Sequence, residues 1–405
     1  MREQAWQKFR TPGRPNGGRN GRRVTATAAL ALGVLTLGAL AQPAASAAPA
    51  APAAPAAHAE PATARQDPVQ RSLDALVRDG AVPAALASVK EREGHTRTYT
   101  AGVGDLATGA KVPRDGQVRI GSNTKAFTAV VVLQLVGEGR IRLDDPVDTY
   151  LPGLVRGEDI DGSRITVRHL LQHTSGLPDY VPHLDDEIRP YEPRELLDRA
   201  LAHKGESEPG KKWHYSNTNY VLAGLIVQKV TGHSLAEEID RRVIEKLGLR
   251  HTYFPAPGDV TLHERHPKGY HQNAPGTPLL DATEWDPSWA WAAGQLVSTN
   301  SDLNRFFTAL LDGRLLPDAQ LAQMRTTVPA GRPFAAGARY GLGLVSTPLS
   351  CGGVYWGHGG SMTGYETRGG VTESGRAANI AVTTQPTDPT TMGRVEKAVD
   401  TALCR

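Results

Sequence analysis

From residue 67 onward the spacing of apolar positions changes character along the chain. Val69, Leu73, Leu76 and Val77 share one face of a helix that Asp67 caps, Pro68 opens and Gly80 ends. Ala85–Lys90 and Thr96–Ala101 read as strands joined by a turn at Glu93-Gly94, and Val118–Ile120 is short and extended. Ser122–Val136 is different, because Ala126-Phe127 and Ala129–Leu133 leave it apolar on every side. Such a helix is buried rather than amphipathic. Helical spacing continues at Val167–Gln172, Arg194–Ala202, Tyr220–Val230 and Leu235–Lys246, the last opened by a capping box at Ser234-x-x-Glu237, and again at Asp302–Leu311. Strands return at Tyr340–Leu344, Val354–Trp356, Arg368–Thr372 and Ala377–Thr384, with a hairpin turn at Gly375-Arg376, before a closing helix over Met392–Leu403. This order predicts an α/β chain of the α+β type. One antiparallel sheet is built from both chain ends and flanked by helices, and an all-helical insertion lies between them. The α/β part covers about 67–135 and 285–405, the helical part about 136–284.

The first 66 residues do not fit that pattern. Residues 1–23 hold seven basic groups and one acid, Val24–Leu40 carries no charge, and Ala45-Ser46-Ala47 offers a small-residue cleavage site. A basic stretch, an apolar stretch and small residues at a cut describe a secretory signal peptide over 1–47, so a secreted protein without a stable membrane anchor is expected. Pro43–Ala57 contains ten Ala, four Pro and one Ser, and residues 48–66 read as an extended linker. The net charge of +3 belongs to this leader, since the remainder has 38 bases against 41 acids. A basic folded face is therefore not indicated, and nucleic acid is not an expected partner.

Three short motifs carry candidate chemistry. Ser122-Asn123-Thr124-Lys125 places Lys125 one helical turn from the Ser122 hydroxyl, which needs an adjacent base to attack a carbonyl. A capping Ser with a solvated Lys is the plain alternative. The apolar helix argues against it, because a lysine there has no obvious solvated face and needs a partner. Tyr215-Ser216-Asn217 offers a phenol for proton transfer and an amide that both donates and accepts; an interfacial aromatic beside a turn Asn is its plain reading. His358-Gly359-Gly360 sits in a glycine-rich stretch where a ligand can approach backbone. His203-Lys204-Gly205 has the same three-letter form, but His203 ends a helix and reads as a surface residue.

Taken together, in the order S-x-x-K, Y-x-N and H-x-G, the chain resembles the serine penicillin-recognising enzymes related to class C β-lactamases, and most of all the secreted D-alanyl-D-alanine carboxypeptidases. Arg119-Ile120-Gly121-Ser122, Asp148–Gly153, Leu170–Gly176, Tyr215–Tyr220 and Gly357–Tyr365 support the likeness, which runs from about Val69 to Cys404. The resemblance implies that Ser122 is acylated, that Lys125 holds or relays its proton, and that Tyr215 protonates the leaving nitrogen. It implies that Asn217 holds the substrate amide and that Trp289 lines the cleft. His358, Gly359 and Gly360 would form its strand side, with His358 where class C β-lactamases carry lysine. Backbone N–H groups of Ser122 and Ser361 would form the oxyanion hole. The secreted carboxypeptidases usually have a hydroxyl residue at the position of Gly359, and Ser361 or Arg368 is the expected substitute for it here. No K-[ST]-G is present, which argues against an efficient β-lactamase.

The resemblance thus implies a serine-type D-Ala-D-Ala carboxypeptidase acting on peptidoglycan stem peptides, with β-lactams as acylating inhibitors. A β-lactamase, an esterase, a D-stereospecific peptidase or amidase, and a penicillin- or wall-binding protein without turnover are its rivals. Cys351 and Cys404, the only cysteines, pair if the protein is exported; two free thiols are the alternative. Neither G-x-S-x-G nor H-E-x-x-H occurs, and His263 and His266 lie beside Pro267 in a polar loop, so no metal and no cofactor is expected. A monomer is expected.

Overall fold

The computed structural model describes residues 66–78, 82–91, 94–185, 189–274, 276–386 and 388–405. The signal peptide, the linker up to residue 65, Gly80 and Glu93 lie outside the described residues.

Among the described residues, ten strands form the main sheet. β1 (Ala84–Lys90), β2 (Thr96–Asp105) and β3 (Ala110–Lys111) come from one end of the chain. β4 (Val328–Pro329), β5 (Arg339–Tyr340), β6 (Val345–Pro348), β7 (Val354–Gly357), β8 (Gly360–Met362), β9 (Tyr365–Thr372) and β10 (Ala377–Val382) come from the other. The spatial order is β4-β5-β6-β7-β9-β10-β1-β2-β3, with β8 folded back on β9, and the pairings are antiparallel. The two ends meet where β1 pairs with β10, Ala85 opposite Val382 through Lys90 opposite Ala377. Sequence pattern and structure therefore agree on an α+β fold with one antiparallel sheet made from both ends and flanked by helices.

The helices are α1 (Pro68–Arg78), α2 (Thr124–Gly137), α3 (Val167–Gln172), α4 (Pro193–Leu201), α5 (Thr218–Thr231), α6 (Leu235–Ile239), α7 (Glu245–Leu247), α8 (Trp291–Gly294), α9 (Asn300–Leu311), α10 (Asp318–Met324) and α11 (Pro389–Leu403). Asp67 caps α1 as expected, accepting from the Val69 N–H at 2.9 Å. Alternation along β1 sends Ala85, Ala87 and Val89 into a cluster with Leu73, Leu76, Val395 and Val399 of α1 and α11. The opposite face is covered by α9, whose Asn300 and Asn304 side-chain amides donate to the Leu86 and Ser88 carbonyls at 3.1 and 2.8 Å. The larger apolar cluster surrounds α2, with Phe127 stacked on Phe306 at 3.8 Å between centroids.

Three expectations change in detail. The strand expected over Tyr340–Leu344 is two strands, β5 and β6, broken at Gly341–Leu344. Gly343 there has φ +76°, and a Cβ on it would lie 2.5 Å from Ala129 Cβ of α2. The chain thus turns against α2 where only glycine fits. The helix expected over Leu235–Lys246 runs as α6, a π turn over Asp240–Ile244, and α7. The insertion is not all helical. Arg156–Gly157 pairs with Ile160–Asp161, and Tyr270–His271 pairs with Leu280–Asp281. Strands of two residues leave no alternation to detect.

Candidate active site

Ser122 sits in a single 3-10 turn, Gly121–Asn123, that runs into α2. Gly121 has φ +50°, and a Cβ there would lie 2.8 Å from the backbone nitrogen of Ser361. A Cβ on Gly360 would lie 1.9 Å from the Ile120 carbonyl oxygen. Glycine at both positions lets the serine turn and β8 touch backbone to backbone. The Asn123 side-chain amide then ties the turn to the sheet, donating to the Ile120 carbonyl at 2.9 Å and to Thr367 Oγ1 at 2.8 Å. Met362 pairs with Tyr365 across a two-residue turn, so Ser361 occupies a non-hydrogen-bonded position and its N–H points away from β9.

Lys125 lies one turn into α2 and is fully buried. Its Nζ is 2.9 Å from Ser122 Oγ, 2.7 Å from Asn217 Oδ1 and 2.8 Å from the Ala293 carbonyl oxygen. The partners expected from its place in an apolar helix are thus in hand. Burial disfavours the ammonium and lowers its pKa to about 7, with Asp179 opposing the shift. A neutral amine keeps two N–H groups for Asn217 and Ala293 and turns its lone pair toward Ser122 Oγ.

Tyr215 and Asn217 lie just before α5. Ser216 N donates to His173 Nδ1 at 3.2 Å, and the Ser216 and Thr218 hydroxyls donate to the Pro178 carbonyl at 3.0 and 2.6 Å. His173 closes α3 at φ +59°, and its ring packs 4.4 Å from the Tyr215 ring. Lys125 Nζ lies 4.9 Å from the centroid of the Tyr215 ring. Burial raises the Tyr215 pKa above the ordinary phenol value, against the opposing hydrogen bond to Ser122, so the phenol is protonated at rest. The Asn217 amide bridges Lys125 through Oδ1 and Asp179 through Nδ2, at 3.2 and 3.1 Å to the two carboxylate oxygens.

Phe334 and the strand residues close the other side. His358 is buried, with Nε2 3.0 Å from the Tyr340 hydroxyl, and burial lowers its pKa to about 3. It is a neutral imidazole and adds no cationic charge. The space a side chain at 359 would fill is taken by Arg368, whose Nη1 lies 2.6 Å from the position of a Cβ on Gly359. Arg368 pairs with the fully buried Glu366, which also accepts from the Ser361 hydroxyl. The Ser361 side chain is therefore engaged behind the cleft wall.

These groups frame one cleft of about 270 Å³. Ser122, Tyr215, Asn217, Trp289, His358, Gly359, Gly360, Ser361 and Arg368 all line it, with Lys125 beneath. Asp179, Val181 and Phe334 line it too and were missed from the sequence. Asp179 follows the Leu170–Gly176 stretch by three residues, and Pro178-Asp179 reads locally as turn chemistry. Cys351 and Cys404 form a disulfide away from this cleft, joining the end of α11 to the turn between β6 and β7. Among the described residues, no group of three His, Cys, Asp or Glu side chains is placed to hold a metal, and no helix is long and apolar enough to cross a membrane.

Comparison with known proteins adds a lineage to this geometry. The family model described as Beta-lactamase matches residues 69–402. A D-stereospecific amidohydrolase from a Streptomyces species is similar in structure, with TM-score 0.74 and 38% identity over 82% of this chain and 97% of that one. A D-amino acid amidase from Ochrobactrum anthropi SV3, solved with L-phenylalanine amide, gives TM-score 0.73 and 30% identity over 82% and 96%. Protein flp of Staphylococcus aureus (strain MW2) is 28% identical over 248 residues, 58% of this chain and 48% of that protein. The chain spans about half the length of the curated relatives it matches. Since the family match runs through every segment that frames the cleft, the chain belongs to the beta-lactamase family and has the fold of that family.

Proposed function

We propose that this chain is a D-stereospecific amidohydrolase that opens an amide bond on the carbonyl side of a D-amino acid through an acyl-enzyme at Ser122. The observation that carries the reading is the buried Lys125, with its pKa near neutrality and its Nζ 2.9 Å from Ser122 Oγ. The D-stereospecific amide class is supported by the likeness to the Streptomyces and Ochrobactrum enzymes. Neutral Lys125 accepts the Ser122 proton as Oγ bonds to the carbonyl carbon. The Ser122 and Ser361 N–H groups receive the developing oxyanion. Tyr215 gives its phenolic proton to the leaving nitrogen and takes one back from Lys125, and the amine departs. Water then attacks the ester, losing its proton along the same path, and Ser122 recovers its hydroxyl proton.

A D-Ala-D-Ala carboxypeptidase on peptidoglycan stem peptides is the second reading. It is favoured by Arg368, whose guanidinium lines the cleft beside Gly359 and could meet the carboxylate of a leaving residue. We place the protein outside the cytoplasm, a reading supported by the Cys351–Cys404 disulfide. Turnover of D- and L-phenylalanine amide and of a D-alanyl-D-alanine peptide, by wild type and Ser122→Ala, tests the function. D-amide hydrolysis exceeds L-amide hydrolysis, and Ser122→Ala loses about 10⁴-fold or more in kcat. Equal use of the L-amide, or wild-type rates in Ser122→Ala, overturns the proposal. A lasting benzylpenicillin adduct with no turnover of any substrate would instead mark a penicillin-binding protein.

A further inference from the structure

The cleft wall beside Asn217 offers acceptors where an N-acylated substrate would need a donor. Asn217 Nδ2 is turned to both oxygens of Asp179, at 3.2 and 3.1 Å, and Asn217 Oδ1 is held by Lys125 at 2.7 Å. The polar atoms of that amide are thus engaged before any substrate arrives. Among the described residues, Asp179 receives N–H groups from Asn217, through Nδ2 and through the backbone N–H at 3.1 Å, and from Val181 N at 3.4 Å. Among the described residues no lysine or arginine pairs with it. The nearby Lys125 is fully occupied by Ser122, Asn217 and Ala293. Asp179 is nevertheless largely enclosed, and it lines the same cleft as Ser122. Lys125 acts on Asp179 through charge alone, without an ion pair, and a carboxylate taken out of water gains from a ligand that brings a cation to it.

A single side-chain amide separates Asp179 from the Ser122–Lys125 pair. The α-nitrogen of an aminoacyl substrate lies two bonds from the carbonyl carbon that Ser122 attacks. A residue bound for acylation with its α-nitrogen turned toward Asn217 brings its amino group to the Asn217–Asp179 wall of the same cleft. We infer that Asp179 receives the α-ammonium of the acyl residue, so that the enzyme takes D-aminoacyl substrates with a free amino terminus in preference to N-acylated ones. The inference rests on the amidohydrolase reading above. It makes Asp179 a specificity residue rather than only a support for Asn217.

The test compares D-phenylalanine p-nitroanilide with its N-acetyl derivative at pH 7, using wild type and Asp179→Asn, with p-nitrophenyl acetate as a substrate lacking any amine. Wild type prefers the free amine by 100-fold or more in kcat/KM. Asp179→Asn lowers that preference at least 30-fold, chiefly through KM on the free-amine substrate. The readout is the ratio of the two anilides within each protein, and a loss shared by all substrates does not move it. Wild type that uses the N-acetyl anilide equally well overturns the inference, and this arm needs no variant. Asp179→Asn that slows both anilides alike also overturns it and leaves Asp179 as a positioning residue for Asn217. If wild type turns over p-nitrophenyl acetate but neither anilide, the amidohydrolase reading itself fails, and the inference falls with it.

Discussion

At the scale of single residues, function rests on which protons are held and which are free. Lys125 has its pKa lowered to about 7 by burial, so the neutral amine that the proposed mechanism requires is the minor form below pH 7 and the major form above it. Acylation by p-nitrophenyl acetate, which carries no amine, measured as kcat/KM therefore rises with pH, reaches half its maximum near pH 7 and levels off above. His358, lowered to about 3, adds no inflection between pH 5 and 9. Tyr215, raised by burial, keeps its proton over the same range. A profile that is flat or falling from pH 5.5 to 8.5 contradicts the role given to Lys125. Ser122 with Lys125, and Tyr215 with Asn217, were readable as two short motifs, S-x-x-K and Y-x-N, and the family resemblance brought the two together. Asp179, His173 and Glu366 were not. Asp179 meets Asn217 across 38 positions of chain, and His173 meets Ser216 across 43. Glu366 meets Ser361 only because β8 folds back on β9. Local pattern carries no signal for any of these contacts.

At the scale of elements, long apolar segments were legible and short ones were not. α2 declared itself through an unbroken apolar run, and β1 and β10 through largely apolar runs. The break between β5 and β6 was hidden, because Gly341-Leu342-Gly343 reads as strand until α2 is packed against it. Gly343 has φ +76°, and an added Cβ would lie 2.5 Å from Ala129 Cβ and 2.9 Å from the Tyr220 hydroxyl oxygen. Gly343→Ala therefore combines left-handed backbone strain with overpacking against the helix that holds Lys125. Urea unfolding should report a loss of about 2–4 kcal/mol. A loss below about 0.5 kcal/mol would mean that the turn and α2 separate without penalty, and that this contact does not hold the lysine in place.

At the scale of the whole chain, the sheet joins two ends of the sequence, and its outer turn is tied down by the Cys351–Cys404 bond. The bond spans 53 positions and also brings Ser350 to Asp400, whose carboxylate accepts from Ser350 N at 2.8 Å. Chain entropy assigns such a closure roughly 4 kcal/mol. The double variant Cys351→Ser/Cys404→Ser should lose stability of that order in denaturant while its kcat/KM at 25 °C stays within about threefold of wild type. An unchanged unfolding midpoint would show that packing of α11 alone holds this edge. The central claim is that Ser122 is the nucleophile activated by Lys125. Intact mass after treatment with a serine-directed fluorophosphonate addresses it most directly, in wild type beside Ser122→Ala. The account predicts one adduct per chain, located on Ser122, absent from the variant and forming more slowly below pH 7. An adduct of equal yield in Ser122→Ala, or one placed on another residue, would contradict it.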